Sequence, residues 1–291
     1  MPRLAVISDT NAVTTARLTR MVVEHDPRIL LFAGDHHPTR FGVTRWSARS
    51  WRRSIGVPLK DSVIAVPGNH DYDRTTGLNG WFEAFDPLWP AEAHREGGSS
   101  WFLATLWDVR IIGLDTGPFA DEVSDEQLAW LEALDPARVR PPVIALAHSP
   151  LAPVSLHIGR AQDHDPDRRD RLVAALSRLG VRLYLCGHEH LYAHRLIPGP
   201  NGDIHQLTLG GGGATSYQVM TPDVVHAVSE PHVALVDPLR DGVMVTVLDS
   251  RGHQIDVVRA ESSAPRGSVR RATAEHAAAE EPPSGGIAPP Y

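Results

Sequence analysis

Five short apolar segments of this chain each end in a polar residue of a type that binds metals. The segments cover residues 3–8, 29–33, 63–67, 143–147 and 181–185, and they lead to Asp9, Asp35, Asn69, His148 and His188. Short apolar runs bounded by Gly or Pro are typical of buried strands. In open α/β sheets the functional site lies outside the carboxyl ends of such strands. The sequence therefore predicts an α/β fold with one site where these ends meet.

The last of these segments runs into Gly187-His188-Glu189-His190, which places two histidines on one short turn. Imidazole is the commonest neutral metal ligand. Two imidazoles separated by one residue can serve two adjacent ions. The alternative interpretation of this turn alone is a polar loop that happens to contain two histidines.

The order of these motifs resembles that of the calcineurin-like metallophosphoesterase superfamily. The motifs in question are Asp9-Thr10-Asn11, Gly34-Asp35, Gly68-Asn69-His70-Asp71, His148 and Gly187-His188-Glu189-His190. The resemblance implies a sandwich of two mixed β-sheets flanked by helices, the αββα arrangement, with two metal ions at one edge. The segments Gly34 to Pro38 and Pro67 to Asp71 lack the GDxxDRG and RGNHE motifs of protein Ser/Thr phosphatases. We therefore expect a branch of the superfamily that acts on small molecules.

The resemblance also implies a role for each site residue. The predicted metal ligands are Asp9, Asn11, Asp35, Asn69, His148, His188 and His190. Asp35 would bridge the two ions, because a carboxylate can span two cations and a neutral imidazole cannot. Mixed nitrogen and oxygen ligands suit Mn, Fe or Zn better than Ca. The predicted cofactors are therefore two divalent or trivalent ions of these metals.

The implied reaction is hydrolysis of a phosphate ester, either a phosphomonoester or a small phosphodiester. Two metal ions would clamp the phosphoryl group and provide an activated hydroxide. His70 would protonate the leaving oxygen as general acid, since an imidazole titrates near neutral pH. The catalytic residues of this prediction are His70 and Asp35, and the partner is a small-molecule phosphate ester.

Asn11 departs from the family pattern, which usually has a histidine ligand at this position. Purple acid phosphatases supply a tyrosine three residues after the aspartate of the GD motif, and this chain has Pro38 there. Asn11 could ligate through its oxygen, His36 or His37 could substitute, or the first site could be weak. Of these, ligation by Asn11 is favoured, because His36 directly follows Asp35 and would point away.

Four further residues are candidates for binding substrate: His36, His37, Arg45 and Arg49. Arginine recognises phosphate through a bidentate fork, and the neighbouring tryptophans could stack on a base or a sugar. The alternative for residues 44–55 is an amphipathic surface helix whose tryptophans pack on the core.

Composition limits the classes of partner and location. The chain has 291 residues and a formal net charge of −7, which argues against a nucleic-acid partner because such proteins present a basic face. Cys186 is the only cysteine, so no intrachain disulfide can form. No signal peptide or apolar run of transmembrane length is apparent, so we expect a cytoplasmic protein without membrane association.

The sequence divides into a catalytic domain over residues 1–259 and a tail over residues 260–291. The tail is rich in Pro, Gly, Ser, Ala and charge, which favours disorder. Helices are predicted over residues 14–25, 124–134 and 168–179, and the short strands after His190 are assigned to the second sheet. Two alternatives to the phosphoesterase remain: a degenerate, non-catalytic binding protein of the same fold, supported by Asn11, and a nuclease.

Overall fold

The computed structural model describes residues 2–37, 42–55, 59–97, 100–139 and 142–262. Its helices are α1 (Ala12–Val23), α2 (Arg45–Ser54), α3 (Asn79–Phe85), α4 (Asp125–Ala133) and α5 (Pro166–Arg178). Its strands are β1 (Leu4–Ile7), β2 (Ile29–Phe32), β3 (Val63–Ala65), β4 (Ala93–Glu96), β5 (Phe102–Leu106), β6 (Val109–Gly113), β7 (Val143–Leu146), β8 (Val181–Cys186), β9 (Tyr192–Ile197), β10 (Ile204–Leu209), β11 (His226–Val228), β12 (His232–Leu239), β13 (Gly242–Asp249) and β14 (Gln254–Glu261).

The strands form two mixed sheets. The six-stranded sheet has the order β14-β13-β12-β1-β2-β3, and the eight-stranded sheet has the order β11-β9-β10-β8-β7-β6-β5-β4. Within them, β1, β2 and β3 pair in parallel, as do β6, β7 and β8. Parallel strands covered on both faces read as continuous apolar runs. This is why these segments stand out in the sequence.

Three apolar layers hold the sheets and helices together. The layer between the two sheets includes Val6, Leu31, Ile144 and Leu185, all fully buried. Helices α4 and α5 cover the outer face of the eight-stranded sheet, and α1, α2 and α3 cover the outer face of the six-stranded sheet. Trp51 of α2 belongs to this last layer and is 4% exposed. The predicted αββα sandwich is thus confirmed.

The bounds of α1 and β14 differ from the sequence-based expectations. Helix α1 begins at Ala12, two residues before the predicted start, because Asn11 caps its first turn. Strand β14 continues to Glu261, so residues 260 and 261 belong to the folded domain and not to the tail. The rest of the predicted tail, residues 263–291, lies outside the described residues.

The assignment of all strands after His190 to one sheet was wrong. Strand β10 pairs with β8 and β9 in the eight-stranded sheet, whereas β12 pairs with β1 in the other sheet. The chain thus crosses between the sheets after β11. None of the helices in the described ranges combines the length and apolar sequence that a membrane crossing requires.

Candidate metal centre

The candidate ligands lie where parallel strands of both sheets end. Asp9, Asp35 and Asn69 follow β1, β2 and β3 of the six-stranded sheet, while His148 and His188 follow β7 and β8 of the eight-stranded sheet. The sandwich brings these ends to one edge, so residues far apart in sequence become neighbours. The predicted convergence of strand ends is what the structure shows.

Three of these residues have a left-handed backbone. The φ angles are 53° at Asp9, 58° at Asp35 and 69° at His188. Residues other than glycine rarely adopt this left-handed region of φ, because it strains the backbone. Such strained residues cluster at functional sites. Each left-handed residue turns the chain sharply at the end of its strand and points a ligand-type side chain toward the cluster.

Glycines allow the loops to approach the carboxylates closely. A Cβ at Gly187 would overlap Oγ of Ser8 and Oδ2 of Asp9, and a Cβ at Gly68 would overlap Oδ1 of Asp35. Since neither glycine has a positive φ, close approach is the feature that requires a glycine. The GNH and GHEH motifs therefore contain glycine for steric reasons.

Two carboxylates and one imidazole form the centre of the cluster. Ligand-type atoms of Asp9, Asp35 and His148 all lie within 4.8 Å of one another. Oδ2 of Asp35 is 3.4 Å from Nε2 of His148, and Oδ1 of Asp35 accepts a hydrogen bond of 2.9 Å from the backbone N–H of His70. Both carboxylates are almost fully buried. Buried carboxylates need compensating positive charge.

Asn69 lies between two histidines on the other side of Asp35. Its Oδ1 is 3.1 Å from Nε2 of His148 and 3.0 Å from Nδ1 of His188. The Nδ1–H of His148 donates to the carbonyl of Ala33 over 2.7 Å, which directs Nε2 toward the cluster. Such an outer hydrogen bond fixes the tautomer of a metal-ligating histidine.

His190 and His70 complete the cluster at its open side. Nε2 of His190 is 3.4 Å from Oδ1 of Asp9, and its Nδ1–H donates to the carbonyl of Thr215 over 2.9 Å. Nε2 of His70 is 3.8 Å from Oδ2 of Asp35, and the His70 side chain is 21% exposed. His70 therefore combines contact with the cluster and access from solvent.

The electrostatics of the cluster favour positive charge. Burial by itself would lower the pKa of His148, yet the carboxylates of Asp35 and Asp9 raise this pKa to about 10. Burial works to raise the pKa of Asp9, but contact with His190 and the charge of His148 hold this pKa below its ordinary value. A cation placed among these groups would meet the same negative potential.

The donor set fits metal ions. Within the described residues, Nε2 of His188 is buried without a hydrogen bond, and Oδ1 of Asp9 has only its 3.4 Å contact with His190. An unsatisfied buried polar atom is destabilising unless a ligand or ion pairs with it. Mixed carboxylate, amide and imidazole donors are the set that Mn, Fe and Zn accept. These residues therefore provide suitable ligands for transition-metal ions at the edge of the sandwich.

Asp71 organises two of the ligand loops, a role that the sequence did not reveal. Its carboxylate accepts hydrogen bonds from the backbone N–H groups of Gly68 (2.8 Å), Asp35 (3.0 Å) and His36 (3.1 Å). Nδ1 of His36 lies 2.6 Å from the same carboxylate. Asp71 is fully buried. It links the loops after β2 and β3 and so fixes Asp35 relative to Asn69.

Glu189 has a similar role between the two histidines of the last motif. Its buried carboxylate accepts hydrogen bonds from the backbone N–H groups of Val154 (2.6 Å) and Ser155 (2.7 Å). Burial raises the pKa of Glu189 against these hydrogen bonds. Glu189 thereby attaches the loop after His148 to the turn that carries His188 and His190. An acidic residue between two histidines was the available signal in the sequence.

The hydrogen bonds of Asn11 differ from those of the predicted ligand. Its Oδ1 accepts from the backbone N–H groups of Val13 (3.2 Å) and Thr14 (3.1 Å), and its Nδ2 donates to the carbonyl of Gly213. The side chain thus acts as the N-cap of α1. Because this oxygen already accepts two hydrogen bonds, we propose that Asn11 caps α1 and does not bind a metal ion.

None of the four predicted substrate-binding residues lines either of the two cavities that border the candidate ligands. His36 is buried between Asp71 and Ser47, with Nε2 2.9 Å from the Ser47 hydroxyl, so it cannot contact a substrate in this state. Arg45 and Arg49 line a cavity beside α2 and α3 that contains none of the candidate ligands. His37, whose pKa is lowered by burial and by the charge of His36, lines none of the cavities described below.

Two cavities border the cluster. One, of about 400 Å³, is lined by Asp9, Thr10, Asp35, His70, His190, Ala214, Thr215 and Tyr217. The other, of about 630 Å³, is lined by Asn69, Tyr72, Asp73, Arg74, Pro118, Phe119, His157, Arg160 and His188. Ligand candidates therefore face solvent on two sides, and both openings could admit a small molecule.

Comparison with known sequences decides the family. Residues 2–192 match the sequence profile of the calcineurin-like phosphoesterases. The chain belongs to this family. The matched range contains every candidate ligand. No curated protein sequence matches the chain.

Solved structures agree with this assignment at the level of the fold. A purple acid phosphatase from yellow lupin (Lupinus luteus) seeds superposes with a TM-score of 0.70 at 15% identity, covering 89% of this chain and 53% of the lupin chain. This chain thus spans about half the length of the lupin enzyme. GAP50, the anchor in the inner membrane complex of Plasmodium, gives a TM-score of 0.63 at 13% identity, covering 91% of this chain and 90% of that chain.

Proposed function

We propose that this protein hydrolyses a phosphate ester at a site that holds two metal ions, with Asp35 shared between them. The observation that carries the proposal is the convergence of ligand-type atoms from Asp9, Asp35 and His148 within 4.8 Å. Asp9 and His190 would hold the first ion. The second would be held by Asn69, His148 and His188. When bound, the ions would supply a water of lowered pKa and positive charge against the phosphoryl oxygens.

The chain's own residues keep these ligands in one orientation. The backbone N–H of His70 holds one oxygen of Asp35, which leaves the other oxygen on the side of His148. The carbonyl groups of Ala33 and Thr215 fix the outer nitrogens of His148 and His190. Ligands held in this way need little rearrangement when an ion binds, which raises affinity.

His70 is the proposed general acid. It lies at the edge of the smaller cavity, and its Nε2 is 3.8 Å from Asp35. It is therefore close to the cluster without being needed as a ligand. A protonated imidazole there could give its proton to the oxygen of the departing alcohol. General acid catalysis of this kind contributes about 10²- to 10⁴-fold.

Activity is tested with protein stripped of metal and then reloaded with Mn, Fe or Zn. The substrates are a chromogenic phosphomonoester and the matching diester. We expect turnover that depends on the added metal. No turnover with any metal would contradict the proposal and favour the alternative, a non-catalytic binding protein of the same fold, for which the absence of a histidine at Asn11 is the supporting observation.

The role of His70 is tested by varying the leaving group. In His70→Ala, hydrolysis of an alkyl phosphate should fall by about 10²-fold or more, because a poor leaving group needs protonation. Hydrolysis of 4-nitrophenyl phosphate should fall much less. His94→Ala is the control, since the His94 side chain is 73% exposed on β4. Equal losses on both substrates would show that His70 is not the acid.

A further inference from the structure

The larger cavity at the cluster contains two arginines that the proposed reaction does not use. Arg74 and Arg160 line it together with the candidate ligands Asn69 and His188. In the described parts of the chain, neither arginine forms an ion pair. Two exposed arginines therefore line a space that also borders the metal cluster.

One carboxylate, that of Asp73, also lines this cavity. Asp73 is engaged by its own turn, where Oδ1 accepts from the backbone N–H groups of Thr75 (2.9 Å) and Thr76 (2.8 Å). The ring of His157 lies against that of His188, with 3.9 Å between the two centroids. The hydroxyl of Tyr72 donates to the buried carboxylate of Asp115 over 2.6 Å. With two arginines against one carboxylate, the lining of this cavity carries a net positive charge.

The lining of the same cavity includes an exposed aromatic residue. Phe119 is 76% exposed, next to Pro118 on the turn after β6. An exposed phenyl ring beside a substrate-sized cavity can stack on a planar group. The cavity volume of about 630 Å³ is in the range of small-molecule sites.

We infer that this cavity binds the alcohol part of the ester and selects alcohols that carry a planar ring and a second negative charge. The inference rests on the proposed phosphoesterase activity. With the phosphoryl group at the metal cluster and its leaving oxygen beside His70, the rest of the alcohol extends past the adjacent Asn69 and past His188 into the cavity. Phe119 contacts its ring, and Arg74 and Arg160 bind its anionic group, which can be a carboxylate or a second phosphate.

The test compares matched pairs of substrates on the metal-loaded protein. One pair is phenyl phosphate and 4-carboxyphenyl phosphate, which carries the extra charge as a carboxylate. The other is adenosine 5′-monophosphate and adenosine 3′,5′-bisphosphate, which carries it as a phosphate. The readout is the ratio of kcat/KM for the charged member to that for its partner. The intrinsic reactivities of the esters cancel when this ratio is compared between protein variants.

We expect Arg160→Gln or Arg74→Gln to lower this ratio by about fivefold, and the double variant by about twentyfold. The ratio should also fall as salt is raised, since exposed charges are screened. Arg53→Gln is the matched control, because Arg53 is an exposed arginine that lines a different groove. It should leave the ratio unchanged. The substrate pair whose ratio falls in the arginine variants shows whether the bound anionic group is a carboxylate or a phosphate.

Binding without turnover separates this inference from the proposed function. Benzylphosphonate and 4-carboxybenzylphosphonate are not hydrolysed, and calorimetry gives their affinities for wild-type and variant proteins. We expect tighter binding of the carboxylated compound, lost in the double arginine variant. If the esters are hydrolysed, but the kcat/KM ratios do not change in the arginine variants and the two phosphonates bind equally well, the inference is wrong and the proposed function stands. Absence of turnover with every ester would instead overturn the proposed function, and the phosphonate affinities would still decide the inference.

Discussion

Asn11 lies at the first turn of α1, and its side chain caps the helix. Its Oδ1 accepts from the backbone N–H groups of Val13 and Thr14, which would otherwise be unpaired. Replacing an Asn cap with Ala destabilises a protein by about 1 kcal/mol. We therefore expect Asn11→Ala to lower the free energy of unfolding in urea by about that amount, without the loss of a metal ion.

The control for Asn11 is the cap of another helix. Ser124 caps α4 by accepting a hydrogen bond from the backbone N–H of Gln127, away from the metal cluster. Ser124→Ala should therefore destabilise the protein to a similar extent. If Asn11→Ala lost a metal ion that Ser124→Ala retained, Asn11 would be a ligand after all.

At the scale of residues, the sequence shows the ligand candidates but not their supports. Asp9, Asp35 and His148 can be found because each directly follows an apolar strand. Asp71 and Glu189 cannot be assigned in the same way. Their roles depend on backbone N–H groups that are distant along the chain, such as Asp35 for Asp71 and Val154 for Glu189.

The carboxylate of Asp71 links the loop after β2 to the loop after β3. It accepts from three backbone N–H groups and contacts the ring of His36. Removing one member of a buried charged network is destabilising by about 3–5 kcal/mol, because the partners lose their hydrogen bonds. We expect Asp71→Ala to have this effect in chemical unfolding and to weaken metal binding as well.

A surface aspartate serves as the control for Asp71. Asp241 pairs with Arg259 on an exposed turn, with the Asp241 side chain 67% exposed. Exposed ion pairs contribute at most about 1 kcal/mol, so Asp241→Ala should have little effect on stability or on metal binding. Similar losses in Asp71→Ala and Asp241→Ala would argue against a special role for the Asp71 network.

Elements with continuous apolar sequence could be predicted, and elements with mixed sequence could not. Strands β7 and β8 are buried along their whole length, and their sequences show it. Strand β4 has the sequence Ala-His-Arg-Glu and lies at the edge of its sheet, and β11 at the opposite edge has no buried residue. Such edge strands are defined by pairing with a neighbour, which local sequence does not reveal.

For the whole molecule, the last three strands complete the sheet that begins with β1. Strand β12 pairs with β1, and β13 and β14 extend the sheet outward. Val258 and Ala260 of β14 contribute to the layer between the sheets. The hydroxyl of Tyr192, in the other sheet, donates to Asp256 over 2.7 Å. These strands could be predicted from the sequence, but the sheet to which they belong could not. That assignment depends on the pairing of β12 with β1, the first strand of the chain.

This topology predicts how truncation affects stability. A chain that ends at His253 lacks β14 and exposes apolar residues of the layer between the sheets, so it should unfold or lose most of its stability, which is about 5–15 kcal/mol for typical domains. A chain that ends at Ser262 keeps every described strand and should retain the fold. Thermal unfolding of both chains gives the comparison. Equal Tm values would contradict the proposed role of β14.

We propose that one site holds two metal ions with Asp35 between them. The number of metal ions bound per chain after dialysis, counted by mass spectrometry for the wild-type protein, Asp35→Asn and Asp61→Asn, tests this proposal. Asp61 pairs with Arg52 on the surface and is the control. We expect two ions in wild type and in Asp61→Asn, and fewer in Asp35→Asn. Retention of both ions by Asp35→Asn, or a wild-type protein that binds one ion or none, would contradict the claim.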